Sequence, residues 1–166
     1  KGKIELCNIL NAKSGLCSED CKFCAQSVRH KTKTAAYPLK SKAEMLRAAL
    51  RAKEMGAQRF DIVTSGNKLS REELLKIIDA IGEITAKIKI KMCASLGSMN
   101  DEEFSWLKSA GLSRYHHNIE SSPRFFPEIV STHSFADRLN TIKAAKRAGL
   151  EVCSGGIIGM GETMDD

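Results

Sequence analysis

Three times in this chain a helical stretch hands over through a glycine to a short apolar run: Met55-Gly56-Ala57, Ala110-Gly111-Leu112 and Ala148-Gly149-Leu150. Glycine ends a helix in the left-handed conformation at no Cβ cost, so each triplet reads as a helix stop leading into a strand. The helix starts are equally regular. Ser41-x-x-Glu44, Ser70-x-x-Glu73 and Asn100-x-x-Glu103 all have capping-box spacing. Apolar residues follow at helical intervals: Leu46, Ala49 and Leu50; then Leu74, Ile77, Ile78 and Ile81; then Phe104, Leu107 and Ala110. A last helix opens near Phe135, turns Leu139, Ile142 and Ala145 inward, and ends at Gly149. Strands are predicted over 4–10, 60–64, 88–96, 114–119 and 151–157, with a looser segment around Pro123 and Pro127. Strand alternating with helix implies an α/β fold on a parallel sheet. A doubly wound sheet and a TIM-type barrel both satisfy the pattern.

The 166 residues, 42% hydrophobic, suffice for one domain and one core. A net charge of +6 is spread along helices that also carry glutamate. The one dense basic run, Arg29-His30-Lys31-Thr32-Lys33, lacks interleaved aromatics, so no nucleic-acid partner is expected. No apolar run reaches the roughly 18 residues of a membrane span, and none resembles a signal peptide. Cysteines without a secretory signal point to a reducing, cytoplasmic setting in which thiols serve metals or catalysis. Lys1 stands where a methionine would begin a chain, and the other end follows a glycine-rich turn; a partial chain is expected.

Cys17, Cys21 and Cys24 form a C-x3-C-x2-C run in a loop that Gly15, Ser18 and Asp20 keep out of regular structure. Thiolates hold iron–sulfur clusters, usually four at a time. Three leave one iron open to a ligand, the same logic that separates catalytic from structural zinc sites. Two plainer readings compete. Cys21-Lys22-Phe23-Cys24 alone has the spacing of a redox dithiol, and a zinc site would need a fourth ligand, yet no second C-x-x-C or H-x3–5-H run exists.

The C-x3-C-x2-C pattern, with aromatic Phe23 before the third cysteine, resembles the radical S-adenosylmethionine (SAM) superfamily. Asn11-Ala12-Lys13-Ser14-Gly15 before it and Ala25-Gln26-Ser27 after it are similar to the biotin synthase family. The resemblance implies a (β/α)8 barrel, of which about the first five strands would be present, in one radical SAM core domain over 1–166. It implies a [4Fe–4S] cluster on Cys17, Cys21 and Cys24, and SAM bound at the open iron. Phe23 would lie against the adenine, and Thr64-Ser65-Gly66 would offer backbone acceptors to the methionyl amino group. In Tyr115-His116-His117-Asn118-Ile119-Glu120-Ser121-Ser122, Asn118 would meet the substrate's ureido ring and Glu120 the ribose hydroxyls. His116 stands where the family often has asparagine. Alternation sends His116, Asn118 and Glu120 to one face and His117 and Ile119 to the other. Gly155-Gly156-Ile157 would bring backbone to the adenine. Gly159-x-Gly161 is no dinucleotide fingerprint, because Met164 occupies the third glycine position.

Cys7, Cys93 and Cys153 remain, on the first, third and fifth strands. Buried free cysteine commonly behaves as a small hydrophobe, but alternate barrel strands fill one interior layer. The resemblance implies an auxiliary [2Fe–2S] or other iron–sulfur cluster there, matching Cys93 and Cys153. Where the family usually has a third cysteine this chain has Asp61, so Cys7 or Asp61 would substitute. The arginine ligand would come from a later strand. The implied activity is sulfur insertion into dethiobiotin through a 5′-deoxyadenosyl radical, with flavodoxin or ferredoxin as electron donor and a homodimer as one possible assembly. A hydrogenase-maturation or methylornithine synthase relative is the alternative enzyme. A non-enzymatic iron–sulfur or zinc module is the alternative of another kind.

Overall fold

The computed structural model describes residues 4–166. Its elements are β1 (Cys7–Lys13), α1 (Lys42–Glu54), β2 (Arg59–Thr64), α2 (Arg71–Lys87), β3 (Lys91–Ser95), α3 (Asp101–Ser109), β4 (Leu112–His116), α4 (Phe126–Ile129), α5 (Phe135–Arg147) and β5 (Glu151–Cys153). All five strands are parallel, in the order β1-β2-β3-β4-β5. A doubly wound sheet reverses its order at a switch point. A sheet that only ever adds the next strand on the same side is an arc of a barrel, which settles the ambiguity left by periodicity.

The capping boxes form at Ser41, Ser70 and Asn100, and a fourth forms at Ser134 with Asp137. Each satisfies helix-end N–H groups that otherwise lack partners. Strand alternation divides the sheet. Phe60, Ile62, Met92 and Ala94 are fully buried in the core with Met45, Ile77, Ile81 and Phe104 of the helices. Burying a side chain of this size stabilises by about 1.5–3 kcal/mol, and truncating Ile77, completely enclosed, is expected to cost about 2–5 kcal/mol. Arg59, Asp61 and Cys93 take the other face and lie outside that core, although they are buried.

Several expectations are corrected. The first strand is displaced toward the cysteine loop, to Cys7–Lys13 from the expected 4–10. The third, fourth and fifth strands are shorter than expected, and the segment around Pro127 contains the short helix α4. Helix α1 buries Met45, Ala49 and Ala52, leaving Leu50 44% exposed.

Candidate active site

The carboxyl ends of parallel strands carry the sites of such folds, because the loops gather there. Here the loops after β1 to β4, with α5, enclose a cleft of about 270 Å³. The cysteine loop forms one wall. Gly15 has φ +74°, and a Cβ there would lie 2.7 Å from the Ala36 side chain, so glycine lets the chain cross the 30s segment. The Ser65 hydroxyl donates to the Gly15 carbonyl at 2.8 Å, tying the loop to the end of β2. Cys17 N–H donates to the Gln26 carbonyl and the Cys17 carbonyl accepts from Val28, at 3.0 and 2.9 Å. This frame presents Cys17, Cys21, Cys24 and Phe23 to the cleft.

Thr64, Ser65 and Gly66 line the opposite side, where the sequence placed them. His116, Asn118 and Glu120 arrive from the end of β4. His117 lines the cleft as well, against the expected alternation, because the strand ends at His116 and Glu120 turns into the left-handed region at φ +66°. Gly156 and Ile157 pair with Glu120 but stand off the cleft wall, Ile157 N–H donating to the Glu120 carbonyl at 2.8 Å. A Cβ on Gly156 would sit 3.0 Å from that carbonyl.

Asn118 shows how the site is oriented. Its Oδ1 accepts from Gly155 N–H at 3.0 Å and from His116 Nε2 at 2.9 Å. A backbone N–H can only donate, so the atom is the amide oxygen, and His116 must carry its proton on Nε2. The Asn118 NH2 is left to serve as a donor. His116 Nδ1 in turn lies 3.9 Å from Asp61.

Polar atoms buried without partners are uncommon and call for explanation. Among the described residues they are Thr64 Oγ1, His117 Nε2, Glu120 Oε2, His133 Nε2, Arg138 Nε and Asp61 Oδ1. All but the last belong to residues that line this one cleft. Arg138 donates to the Asn118 carbonyl at 2.8 Å and lies 4.0 Å from Glu120. Burial holds His117 neutral, its pKa lowered to about 3. Burial also raises the Cys21 thiol to about 11, with Arg138 opposing. Metal binding at Cys21 must therefore displace a proton.

No three His, Cys, Asp or Glu side chains among the described residues converge on a single-ion site. Cys17, Cys21 and Cys24 all line the one cleft, and three thiols are a donor set that suits an iron–sulfur cluster.

Below the cleft, Asp61 pairs in register with Cys93, and Cys7 with Arg59. Arg59 Nη1 approaches the Cys93 thiol at 4.0 Å. Burial, then the Asp61 charge, pushes Cys93 up to about 12, while Arg59 acts in the opposite sense. Arg59 is buried and paired with Glu5 at 2.8 Å and Glu151 at 3.0 Å. Cys93 is buried, whereas Cys7 on β1 and Cys153 on β5, opposite His116, are both exposed.

Sequence reasoning missed His133 and Arg138. Arg138 had a signal. It falls three residues after Phe135 and four before Ile142, a cation on the apolar stripe of α5, and such a charge needs a partner.

The residues at 13–166 match the model of the radical SAM superfamily. The chain belongs to that superfamily, whose cofactors are a [4Fe–4S] cluster and SAM. Its relatives include the biotin synthase of Thermotoga petrophila, 52% identical over 164 residues, covering 99% of this chain and 55% of that protein. The biotin synthase of Thermodesulfovibrio yellowstonii is 53% identical over 99% of this chain and 52% of that protein. The chain thus spans about half the length of the curated relatives it matches. Methylornithine synthase superposes with a TM-score of 0.85 at 18% identity, over 98% of this chain and 48% of that one. The FeFe-hydrogenase maturase HydG from Carboxydothermus hydrogenoformans superposes at 0.80 and 22%, over 96% and 38%. These likenesses establish the radical SAM barrel fold, of which this chain forms an arc.

Proposed function

We propose that this chain carries the radical-generating site of an enzyme that inserts sulfur into dethiobiotin to form biotin. The observation that carries the reading is the convergence of three loop thiols and five unpartnered buried polar atoms on one cleft, in a chain about half identical to biotin synthases. A [4Fe–4S] cluster on Cys17, Cys21 and Cys24 would supply one-electron cleavage of SAM, and with it hydrogen abstraction from unactivated carbon. The protein's part is to bind, orient and exclude water. Phe23 offers an apolar face to the adenine. Backbone at Thr64, Ser65 and Gly66 receives the methionyl amino group, and Glu120 receives the ribose hydroxyls. Arg138, a buried cation with a free Nε, suits the methionyl carboxylate. The Asn118 NH2 donates to the ureido carbonyl, held in that sense by Gly155 and His116. Gly156 and Ile157 support Glu120 from behind and approach the adenine through their backbone.

Cys93 with Cys7, Asp61 and Cys153 would form the auxiliary iron–sulfur site, of [2Fe–2S] or another type. The remaining assignments are flavodoxin or ferredoxin as reductant, a homodimer, and a cytoplasmic location. All six cysteines are unpaired, as a reducing compartment requires, and no described helix is long and apolar enough to cross a membrane. Anaerobic reconstitution of the full-length protein tests the function, with SAM, reductant and dethiobiotin supplied. Biotin together with 5′-deoxyadenosine is the expected result. 5′-Deoxyadenosine without biotin would move the substrate elsewhere, and neither product would remove the enzyme reading.

A further inference from the structure

We propose that the turn between α4 and α5 is a clasp that shapes the cysteine loop before any cluster binds, with Glu19 and Asp20 as its positioning residues. The two segments lie more than a hundred residues apart and follow strands three places apart in the sheet. Asp20 accepts Ser131 N–H at 2.9 Å, Thr132 N–H at 3.3 Å and the Ser131 hydroxyl. Glu19 Oε2 meets the Thr132 hydroxyl at 2.5 Å and His133 Nδ1 at 2.6 Å. The backbone adds a bond from Lys22 N–H to the Ile129 carbonyl at 3.0 Å. Beneath them Cys21 packs with Phe126, Ile129 and Val130 in a small core separate from the main one.

Within 17–24 the loop has little of its own to hold it. Its one internal backbone bond runs from Cys24 N–H to the Cys21 carbonyl at 3.0 Å, while Cys17 is tied outward to Gln26 and Val28. The middle of the loop, between the first and second thiols, is held on one side by Ser27 and Arg29, whose side chains donate to the Glu19 and Ser18 carbonyls. On the other side it is held by the clasp, which alone takes the Glu19 and Asp20 carboxylates. Ligands held by supporting hydrogen bonds lose less freedom when they bind. A loop fixed at Glu19 and Asp20 presents Cys21 already docked on α4.

The consequence for the cofactor rests on the cluster reading above, whereas the shaping of the loop does not. Hydrogen exchange on cluster-free, full-length protein therefore tests the clasp by itself. Asp20→Ala and Thr132→Val are expected to speed amide exchange over 17–24 and 129–133 about tenfold, with β2 and β3 unchanged. Thr132→Ser, which keeps the hydroxyl, should restore protection. Asp101→Ala, which breaks an exposed pair with Arg147 elsewhere, should leave 17–24 as it is. Under anaerobic reconstitution the same two variants should take up iron about tenfold more slowly. Unchanged exchange over 17–24 in both variants overturns the proposal, as does equal loss of protection in β2 and β3. If wild type binds no cluster yet the variants loosen the loop, the clasp stands and the cluster reading falls.

Discussion

Replacing Asp61 with asparagine is expected to move the stability of the cluster-free protein in the variant's favour, relative to wild type, as pH rises from 4 to 8. Asp61 is 5% exposed, and its Oδ1 has no hydrogen-bond partner. Desolvation raises its pKa from 3.8 to about 6, and His116 only partly offsets this. A folded pKa above the unfolded one means that the native state holds the proton more tightly. The stability this gives is complete below pH 3.8 and is lost as pH rises through 6. With each pKa unit equal to about 1.36 kcal/mol, ionised Asp61 costs about 3 kcal/mol at pH 8 and about 0.5 kcal/mol at pH 4. Asparagine carries no such dependence. Its own buried amide shifts stability by an amount independent of pH, so the informative quantity is the change in the difference between the two proteins. Urea denaturation of wild type and Asp61→Asn at pH 4, 6 and 8 should show that difference moving by about 2.5 kcal/mol in favour of the variant. A difference that stays constant across this range would sink the claim that Asp61 is a desolvated acid rather than a paired one.

Three further outcomes follow from the same structure. Gly97→Ala would place a Cβ 2.3 Å from the Asn67 carbonyl oxygen at φ +84°, whereas Gly149→Ala meets nothing within 4 Å at φ +74°. Thermal unfolding should show the second losing about 1–2 kcal/mol to backbone strain and the first losing about 1–3 kcal/mol more to overpacking. Tyr115→Phe removes a hydroxyl that accepts from Leu96 N–H at 3.1 Å and donates to the Gly97 carbonyl at 2.5 Å. The loss expected in urea unfolding is about 2–4 kcal/mol, because both backbone groups are left unpaired. His117, with its pKa near 3, should show no imidazole titration by NMR between pH 5 and 8; a midpoint near 6 would mean that the ring is hydrated.

The elements were legible because local signals agreed with one another. Capping boxes at Ser41, Ser70 and Asn100 and glycines at 56, 111 and 149 bracket the helices without help from tertiary structure. The failures have physical causes. Helix α1 carries two overlapping stripes, Leu46-Ala49-Leu50 and Met45-Ala49-Ala52, and hydrophobicity favours the first. The helix buries the second, whose two alanines allow close approach. The first strand was misplaced because its apolar run is not its buried part: Leu6 and Ile9 are 55% and 62% exposed at the open edge, while Ala12 is fully enclosed.

At the site, legibility followed distance from the strand ends. Thr64 ends β2, and Cys17, Asn118 and Glu120 belong to loops that leave the carboxyl ends of strands, where parallel topology sends functional groups whatever the details of packing. His133 and Arg138 come from a turn and a helix, and nothing local reveals that they face the same cleft. Tertiary contacts place them there: His133 Nδ1 meets Glu19 at 2.6 Å, and Arg138 donates to the Asn118 carbonyl at 2.8 Å. The same reasoning separates the two groups of cysteines. Cys17, Cys21 and Cys24 share one loop, so their spacing alone fixes their proximity. Cys7, Cys93 and Cys153 depend on the register of four strand pairings, and each pairing can displace one thiol from the others. That register sets Cys7 beside Arg59, Cys93 beside Asp61 and Cys153 beside His116. Asp61 stands in register with Cys93, and its carboxyl can be replaced without touching any thiol.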